Sequence, residues 1–143
     1  MDAADDRDPR YLAGVVLFNR GDYFDAHEVW EGLWLDCPPA DRRFYQSLIQ
    51  AAVALYHWGR GNHPGARRLF HSGRAYMAPY RPAHRGLDVD RFWLAVERRL
   101  APALGEPAAP PPADPPAVVL IPPPGAWPDP ADFLDDPPAR ATP

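Results

Sequence analysis

His27, Glu28 and Glu31 lie within about one helical turn of each other and are the side chains most suited to chemistry. On a helix, His27 and Glu31 face the same side, and Glu28 neighbours Glu31. An imidazole with two carboxylates can bind a divalent cation or transfer a proton. Zinc proteases use His-Glu-x-x-His, and here the last position is glutamate, so that motif is incomplete. The alternative is that these side chains pair with arginines and backbone carbonyls inside the fold.

A second polar group consists of Gln46, Gln50 and His57, whose spacings of four and seven place them on one side of a helix. Polar side chains on an otherwise apolar helix need hydrogen-bond partners. They either face His27 and Glu31 across a helical bundle, where cofactor sites are often built, or act as spacers that fix helix register. The sequence identifies no cofactor. The candidate pocket consists of His27, Glu28, Glu31, Gln46, Gln50 and His57, with His27 and Glu31 as candidate metal ligands.

A third group, Arg67, His71 and Arg74, forms a stripe at spacings of four and three. Such a stripe can contact phosphate, although a solvated helix face is the ordinary interpretation. The net charge of the chain is -4, which gives no general attraction to nucleic acid. Residues 60–105 carry nine arginines against three acidic residues, whereas both flanking segments are acidic. We expect this basic segment to pair within the fold or with the tail, and we do not expect a nucleic-acid partner.

These residues belong to a chain of 143 residues, of which 46% are hydrophobic and 12% aromatic, enough for one domain with a packed core. No apolar run approaches the roughly 20 residues that span a bilayer. The first residues are acidic where a secretory signal would be basic and then apolar. Cys37 is the only cysteine, so no internal disulfide forms. We therefore expect a cytoplasmic protein without membrane contact.

Hydrophobic spacing and cap residues predict five helices within residues 1–105. The third, from about Asp41 to Trp58, is apolar on nearly all faces, which predicts a central and buried position. At the second, Asp25 follows Asp22 by three residues, a variant of the capping box. The predicted fold class is all-α, a compact bundle of about five helices in antiparallel hairpins. The predicted helices begin at Asp8, Asp22, Asp41, Asn62 and Asp88.

The C-terminal part of the chain, residues 106–143, contains fourteen of the 21 prolines, so it cannot be helical for long. We predict two parts, a helical domain at 1–105 and a proline-rich, non-helical tail at 106–143. The run 117–121 is rich in β-branched residues and can lie extended against the helices, and Trp127, Phe133 and Leu134 can anchor the residues that follow. Disorder is the alternative, and the proline density favours it for the last residues.

An internal match at an offset of 40 residues aligns two glycine turns. Each copy contains Arg-Gly, a capping Asp or Asn, and an alanine four residues after the cap. Glycine permits a left-handed turn, and alanine lets two helices approach closely. The turn resembles the helix–helix joint of tetratricopeptide repeats, but a solenoid needs at least three copies. We therefore predict a compact bundle with repeat-like hairpins. The two copies are Arg20–Ala26 and Arg60–Ala66.

Three longer blocks lie in order at Phe18–Trp34, Phe44–His57 and Gly61–Leu69, and the first reads FNRGDYFDAHEVWEGLW. Together they resemble the bacterial and archaeal family known as domain of unknown function 309, closely over 18–69 and loosely over 9–105. Ser47 stands where that family commonly has glycine. The resemblance implies a small all-helical fold and implies no activity. The proline-rich tail lies outside it.

Three functions remain open from the sequence. The leading one is a binding module that takes a protein or small molecule in a groove between the second and third helices. The second is a metal-dependent, hydrolytic enzyme that uses His27, Glu28 and Glu31. The third is a phosphate or nucleic-acid binder that uses the arginine stripe on the fourth helix.

Overall fold

The computed structural model of the protein describes residues 7–105 and 115–134. In these ranges the chain forms five α-helices, one two-stranded hairpin and three short 3₁₀ helices, which confirms the predicted helical bundle. No helix in the same ranges is both long and apolar enough to cross a membrane. The elements are α1 (Pro9–Asn19), α2 (Tyr23–Asp36), α3 (Arg42–Gly59), α4 (His63–Met77), β1 (Ala83–His84), β2 (Leu87–Asp88) and α5 (Val89–Leu100), with 3₁₀ helices at Pro39–Asp41, Ala78–Tyr80 and Pro130–Phe133.

Two helical hairpins, α1–α2 and α3–α4, are closed by joints of the same geometry. Gly21 and Gly61 have φ angles of 85° and 78°, which glycine adopts without a Cβ clash. In each joint the N–H of the capping residue donates to a carbonyl in the last turn of the preceding helix, at 2.9 and 2.8 Å. Ala26 and Ala66, four residues after the caps, are fully buried. The internal repeat is therefore a repeat of helix–helix joints.

Side-chain caps begin three of the five α-helices. The predicted capping box at the start of α2 is wrong, because Asp22 makes no side-chain hydrogen bond to the helix. The start of α2 is fixed instead by the joint, where the N–H and the carbonyl of Asp22 are both hydrogen-bonded. The caps that form are Asp8 on the N–H of Arg10, Asn62 on that of Gly65 and Asp88 on that of Arg91.

The centre of the bundle is formed by α1 and α3. No residue of α3 between Phe44 and Trp58 is exposed, which confirms its predicted central position. Most of the circumference of α1 is also buried, since every residue from Tyr11 to Phe18 except Val16 is buried. Neighbours pack on several sides of α1, namely α2, α3, α5 and the 3₁₀ helix at 130–133.

A short hairpin between α4 and α5 was not predicted from the sequence. His84 pairs with Leu87, so Arg85 and Gly86 form a two-residue turn. Both turn residues have positive φ, 50° and 81°, as a type I′ turn requires. A positive φ is costly for a residue with a Cβ, so Arg85 needs contacts that hold it there.

Beside this hairpin, residues 115–121 lie extended, in agreement with the extended alternative for the run 117–121. Leu120 pairs with Leu87 in an antiparallel bridge, which places the segment next to β2. Its residues alternate between buried and exposed from 115 to 120. A period of two is the signature of a chain with one face on a core.

Further along, Phe133 and Leu134 pack against the core, whereas Trp127 is 45% exposed. Two of the three predicted anchors therefore contact the bundle. The last residues, 135–143, for which disorder is predicted, lie outside the described residues.

Candidate functional site

His27 is held in one orientation on α2. Its Nδ1 donates to the carbonyl of Phe24 at 2.7 Å, and because a carbonyl only accepts, the proton of the neutral ring is on Nδ1. The unprotonated Nε2 lies 3.9 Å from Glu31 Oε2, too far for a hydrogen bond but close enough for an ion pair if the ring is protonated. The arrangement can accept a proton or share a cation between ring and carboxylate.

The outer face of α2 carries a stripe of four residues, Phe24, Glu28, Glu31 and Leu35, which we call the α2 stripe. Their spacings of four, three and four place them on one side of the helix. Phe24 is 44% exposed and Leu35 is 67% exposed, at opposite ends of the stripe. Both glutamates and Leu35 line a cleft of about 260 Å³, whose far wall is formed by residues 133–134. The stripe therefore combines exposed apolar side chains with carboxylates beside a cleft.

The polar residues of α3 make their contacts with the next helix. Gln50 accepts a hydrogen bond from the Ser72 hydroxyl of α4. His57 Nδ1 lies 3.4 Å from the side-chain nitrogen of Asn62, the cap of α4. Gln46 is half-buried on α3. These contacts agree with the spacer interpretation, and a pocket shared with the α2 residues stays a prediction.

Metal binding by the α2 residues also stays a prediction. Across 7–105 and 115–134, no three His, Cys, Asp or Glu side chains are grouped so that they could hold a metal ion. The two candidate ligands, His27 and Glu31, are the pair described above.

The arginine stripe on α4 has contacts within the fold. Arg67 donates to the carbonyl of Ala103 at 3.4 Å, which ties α4 to the turn that follows α5. Arg74 lies 3.7 Å from Glu97 of α5, and its guanidinium also lies over a phenylalanine ring. His71 is exposed. Two of the three predicted phosphate ligands therefore already have partners inside the molecule.

A buried polar cluster, not predicted from the sequence, joins the N-terminus of α3 to the hairpin. Asp41 is only 2% exposed, and its Oδ1 accepts from His84 Nε2 at 2.7 Å. Its Oδ2 accepts from the Arg85 guanidinium at 2.6 Å. The ring of His84 contacts those of Phe44 and Tyr80, both at 4.7 Å between centroids. Both carboxylate oxygens are thus paired with the hairpin.

The electrostatics of this cluster follow from burial and pairing. Burial raises the pKa of Asp41, but the hydrogen bonds from Arg85 and His84 outweigh it, so the pKa lies below its usual value. Burial, and then the nearby Asp41 charge, raise the pKa of Tyr45 well above its usual value. The same two causes raise the pKa of the Cys37 thiol, so this cysteine is not activated as a nucleophile.

The cluster holds the hairpin turn in its left-handed conformation. The side chain of Arg85 is fixed on Asp41, and its carbonyl accepts from the Tyr11 hydroxyl at 3.2 Å. A carboxylate that orients a histidine also occurs in hydrolases. Here a guanidinium neutralises the same carboxylate, so we assign the cluster a structural role. The sequence offered one signal for it, the Arg85-Gly86 pair, and none for a partner more than 40 residues earlier.

Two helical hairpins, with a fifth helix and an extended segment packed on them, define a small helical-bundle protein. Residues 11–69, from α1 into α4, match the family model described as Domain of unknown function (DUF309), which confirms the resemblance. A curated relative, the Uncharacterized protein YpuF of Bacillus subtilis (strain 168), is 45% identical over 85 residues, or 57% of this chain and 49% of that protein. The chain thus spans about half the length of this relative. No solved structure matches the chain.

Proposed function

We propose that the protein is a binding module that docks a partner protein on the α2 stripe. The observation that carries this proposal is the exposure of Phe24 and Leu35 at the two ends of a stripe that has carboxylates between them. Large apolar side chains exposed to water are unfavourable in free energy, and binding of a partner that covers them is therefore favourable. The cleft beside the glutamates gives the partner a place to insert a side chain.

The charge of α2 indicates the chemistry of the partner. Between Tyr23 and Asp36 the helix contains four carboxylates and no arginine. Asp36 is paired with Arg10 at 2.8 Å, whereas Glu31 is 57% exposed in the middle of the stripe. Opposite charges across an interface speed association and fix register. The partner that fits is an amphipathic segment with arginine or lysine between two apolar anchors.

The test is binding of a synthetic 18-residue helical peptide that carries two arginines between two leucines at the spacings of the α2 stripe. Fluorescence anisotropy compares the wild type with a Phe24→Ser, Leu35→Ser double variant. We expect the double variant to bind about tenfold more weakly, because the anchors supply most of the affinity. Binding should also weaken with salt, since the Glu31 carboxylate in the middle of the stripe is exposed.

Leu94→Ser on α5 is the matched control, because Leu94 is 46% exposed, close to the 44% of Phe24. Its affinity for the peptide should equal that of the wild type. Equal losses in both variants would mean nonspecific adhesion, and no loss in the double variant would remove the α2 stripe as the site. If the protein dimerises and the same double variant abolishes the dimer, the partner is a second copy.

The metal-dependent enzyme stays as a second candidate, favoured by the orientation of His27. The hydrogen bond of Nδ1 to a carbonyl leaves Nε2 toward Glu31, as in many metal sites. Thermal unfolding of metal-stripped wild type and His27→Ala, with Zn²⁺, Mn²⁺, Ni²⁺, Fe²⁺ or Mg²⁺ added, tests it. Stabilisation of the wild type alone would favour the enzyme. We propose a cytoplasmic location for either activity. The chain has one cysteine and forms no internal disulfide, so its folding does not depend on an oxidising compartment.

A further inference from the structure

The backbone of the extended segment 115–122 makes four hydrogen bonds to the rest of the fold. Asn19 at the end of α1 uses its whole amide, since Oδ1 accepts from the N–H of Val118 at 2.8 Å and Nδ2 donates to the carbonyl of the same residue at 3.0 Å. On the other side, the N–H of Ile121 donates to the carbonyl of Gly86 at 2.9 Å. Arg7 donates to the carbonyl of Pro122 at 2.8 Å. None of these four hydrogen bonds depends on a side chain of the segment.

The side chains of the segment enter the bundle at alternate positions. Val118 and Leu120 are 2% and 4% exposed, whereas Val119 and Ile121 are 64% and 73% exposed. Backbone hydrogen bonds at an open strand, combined with pockets for every second side chain, are the recognition mode by which domains bind extended peptides. We call this site, formed by Arg7, Asn19, Gly86 and Leu87, the tail groove.

Few side chains of the segment belong to the buried hydrophobic core. Among the described residues, Val118 and Leu120 are the only members of the buried hydrophobic core beyond Ala103. The segment follows a nine-residue connection, 106–114, which contains four prolines. Gly86 leaves room for the segment to approach closely, because a Cβ at this position would lie 3.3 Å from the carbonyl oxygen of Ile121.

We propose that the tail groove is a binding site for an extended peptide with aliphatic side chains at alternate positions, which the protein's own residues 115–122 occupy in cis. A tethered ligand has an effective concentration that reaches the millimolar range for short linkers. The segment therefore competes with any peptide from another chain, and its release opens the site. The residues of this second surface differ from those of the α2 stripe, although residues 133–134 of the same tail form the far wall of the cleft beside that stripe.

The test uses the full chain with residues 107–113 replaced by a seven-residue recognition sequence for a site-specific protease. The probe is a fluorescent peptide of residues 115–134. We expect the probe to bind the cleaved protein and to bind the uncleaved protein at least tenfold more weakly, because cleavage turns the competing segment into a free ligand that can be diluted away. A probe with Val118→Asp and Leu120→Asp should not bind either form.

The groove itself is tested by Asn19→Ala in the cleaved protein, which removes both hydrogen bonds to Val118. We expect its affinity for the probe to fall about thirtyfold, because the loss of two hydrogen bonds of about 1 kcal/mol each corresponds to that factor. Equal affinity in this variant would overturn backbone recognition by Asn19. Failure of the probe to exchange into cleaved, folded protein would overturn the proposal. Loss of the helical circular dichroism signal once the cleaved tail is removed would also overturn it, because the segment would then be an inseparable part of the core.

Discussion

At Asp41, burial and pairing act against each other. Removing a carboxylate from water costs several kcal/mol, and the attraction of two cationic partners offsets that cost only when the geometry is good. Here both oxygens have a partner, at 2.6 and 2.7 Å. Asp41 was predicted from the sequence only as the start of a helix, but it is the centre of a buried ionic cluster. Its partners lie in a hairpin that is remote in sequence, so the sequence shows no sign of this role.

Loss of this carboxylate should destabilise the whole protein. Asp41→Ala leaves the Arg85 guanidinium partly buried without its counter-charge and releases the strained turn. We expect the free energy of unfolding, measured in urea, to fall by about 3–5 kcal/mol. Asp90→Ala breaks another arginine–aspartate pair, that with Arg81, but at the surface. Its stability should stay close to that of the wild type, and a similar loss in both variants would contradict the special role of Asp41.

The same carboxylate should make stability depend on pH. Because the pKa of Asp41 is lowered by folding, its stabilising effect is fully present above the unfolded pKa of about 3.9 and is lost as the pH falls through the lower folded pKa. We expect the wild type to lose stability below pH 5 more steeply than Asp41→Asn. Urea unfolding between pH 6 and 3 measures both curves. Asp8 and Asp90, whose pKa values are also lowered, contribute equally to both proteins, so parallel curves would refute this assignment.

Among the helices, the packing of α1 on α2 depends on a residue without a side chain. The indole of Trp30 lies directly on Gly14, and its Nε1 donates to the carbonyl of Tyr11 at 3.1 Å. A Cβ at Gly14 would overlap with that indole, so one ring must move or the helices must separate. Close contact at a glycine is what sets the distance between these two helices.

Gly14→Ala should therefore destabilise the first hairpin, although alanine favours a helix more than glycine does. Overpacking of a core typically costs about 1–3 kcal/mol. Gly32→Ala on α2 is the control, because a Cβ there meets nothing within 4 Å and only the helix propensity changes, by about 0.5–1 kcal/mol in favour of folding. Thermal unfolding should lower the midpoint for the first variant and raise it for the second. A rise in both would show that the indole moves aside without cost.

The helices themselves could be predicted from local signals. Apolar spacing, glycine turns and cap residues placed the starts of all five within one residue of the observed starts, since these signals act within one or two turns. The hairpin at 83–88 was missed, because two-residue strands show no periodicity. The polar residues of α3 were placed on the correct helix. The neighbouring helix that they contact, α4 for Gln50, depends on how the helices cross, and residue spacing along one helix does not determine that crossing.

For the molecule as a whole, the position of the tail adds to the burial of α1. The sequence of α1 is apolar from Tyr11 to Phe18 apart from Gly14, and seven of the eleven residues of the helix are buried. Besides α2, α3 and α5, the C-terminal part of the chain covers α1, with Asn19 on Val118 and the 3₁₀ helix at 130–133 against the helix. Contacts across about 100 residues between a helix and a proline-rich segment have no local signal, so the sequence alone left extension and disorder as alternatives.

If segment 115–122 is a ligand of the bundle, it should detach from the groove while the helices stay folded. Hydrogen exchange of the amides of Val118 and Ile121 reports that opening, because both donate across the groove. Val118→Ala removes about 1.5 kcal/mol of burial from the closed state, so these amides should exchange about tenfold faster. Amides of α3 should keep their rates.

The neighbouring residue provides the control for this measurement. Val119→Ala makes the same chemical change at a position that is 64% exposed against 2% for Val118, so exchange of the segment should stay near that of the wild type. If Val118→Ala accelerates the α3 amides as much as those of the segment, tail and bundle unfold together as one cooperative unit. A segment that cannot leave without unfolding the bundle cannot act as an exchangeable ligand. The ratio of the exchange rates of the segment amides and the α3 amides therefore decides whether the segment is part of the core or a ligand that detaches on its own.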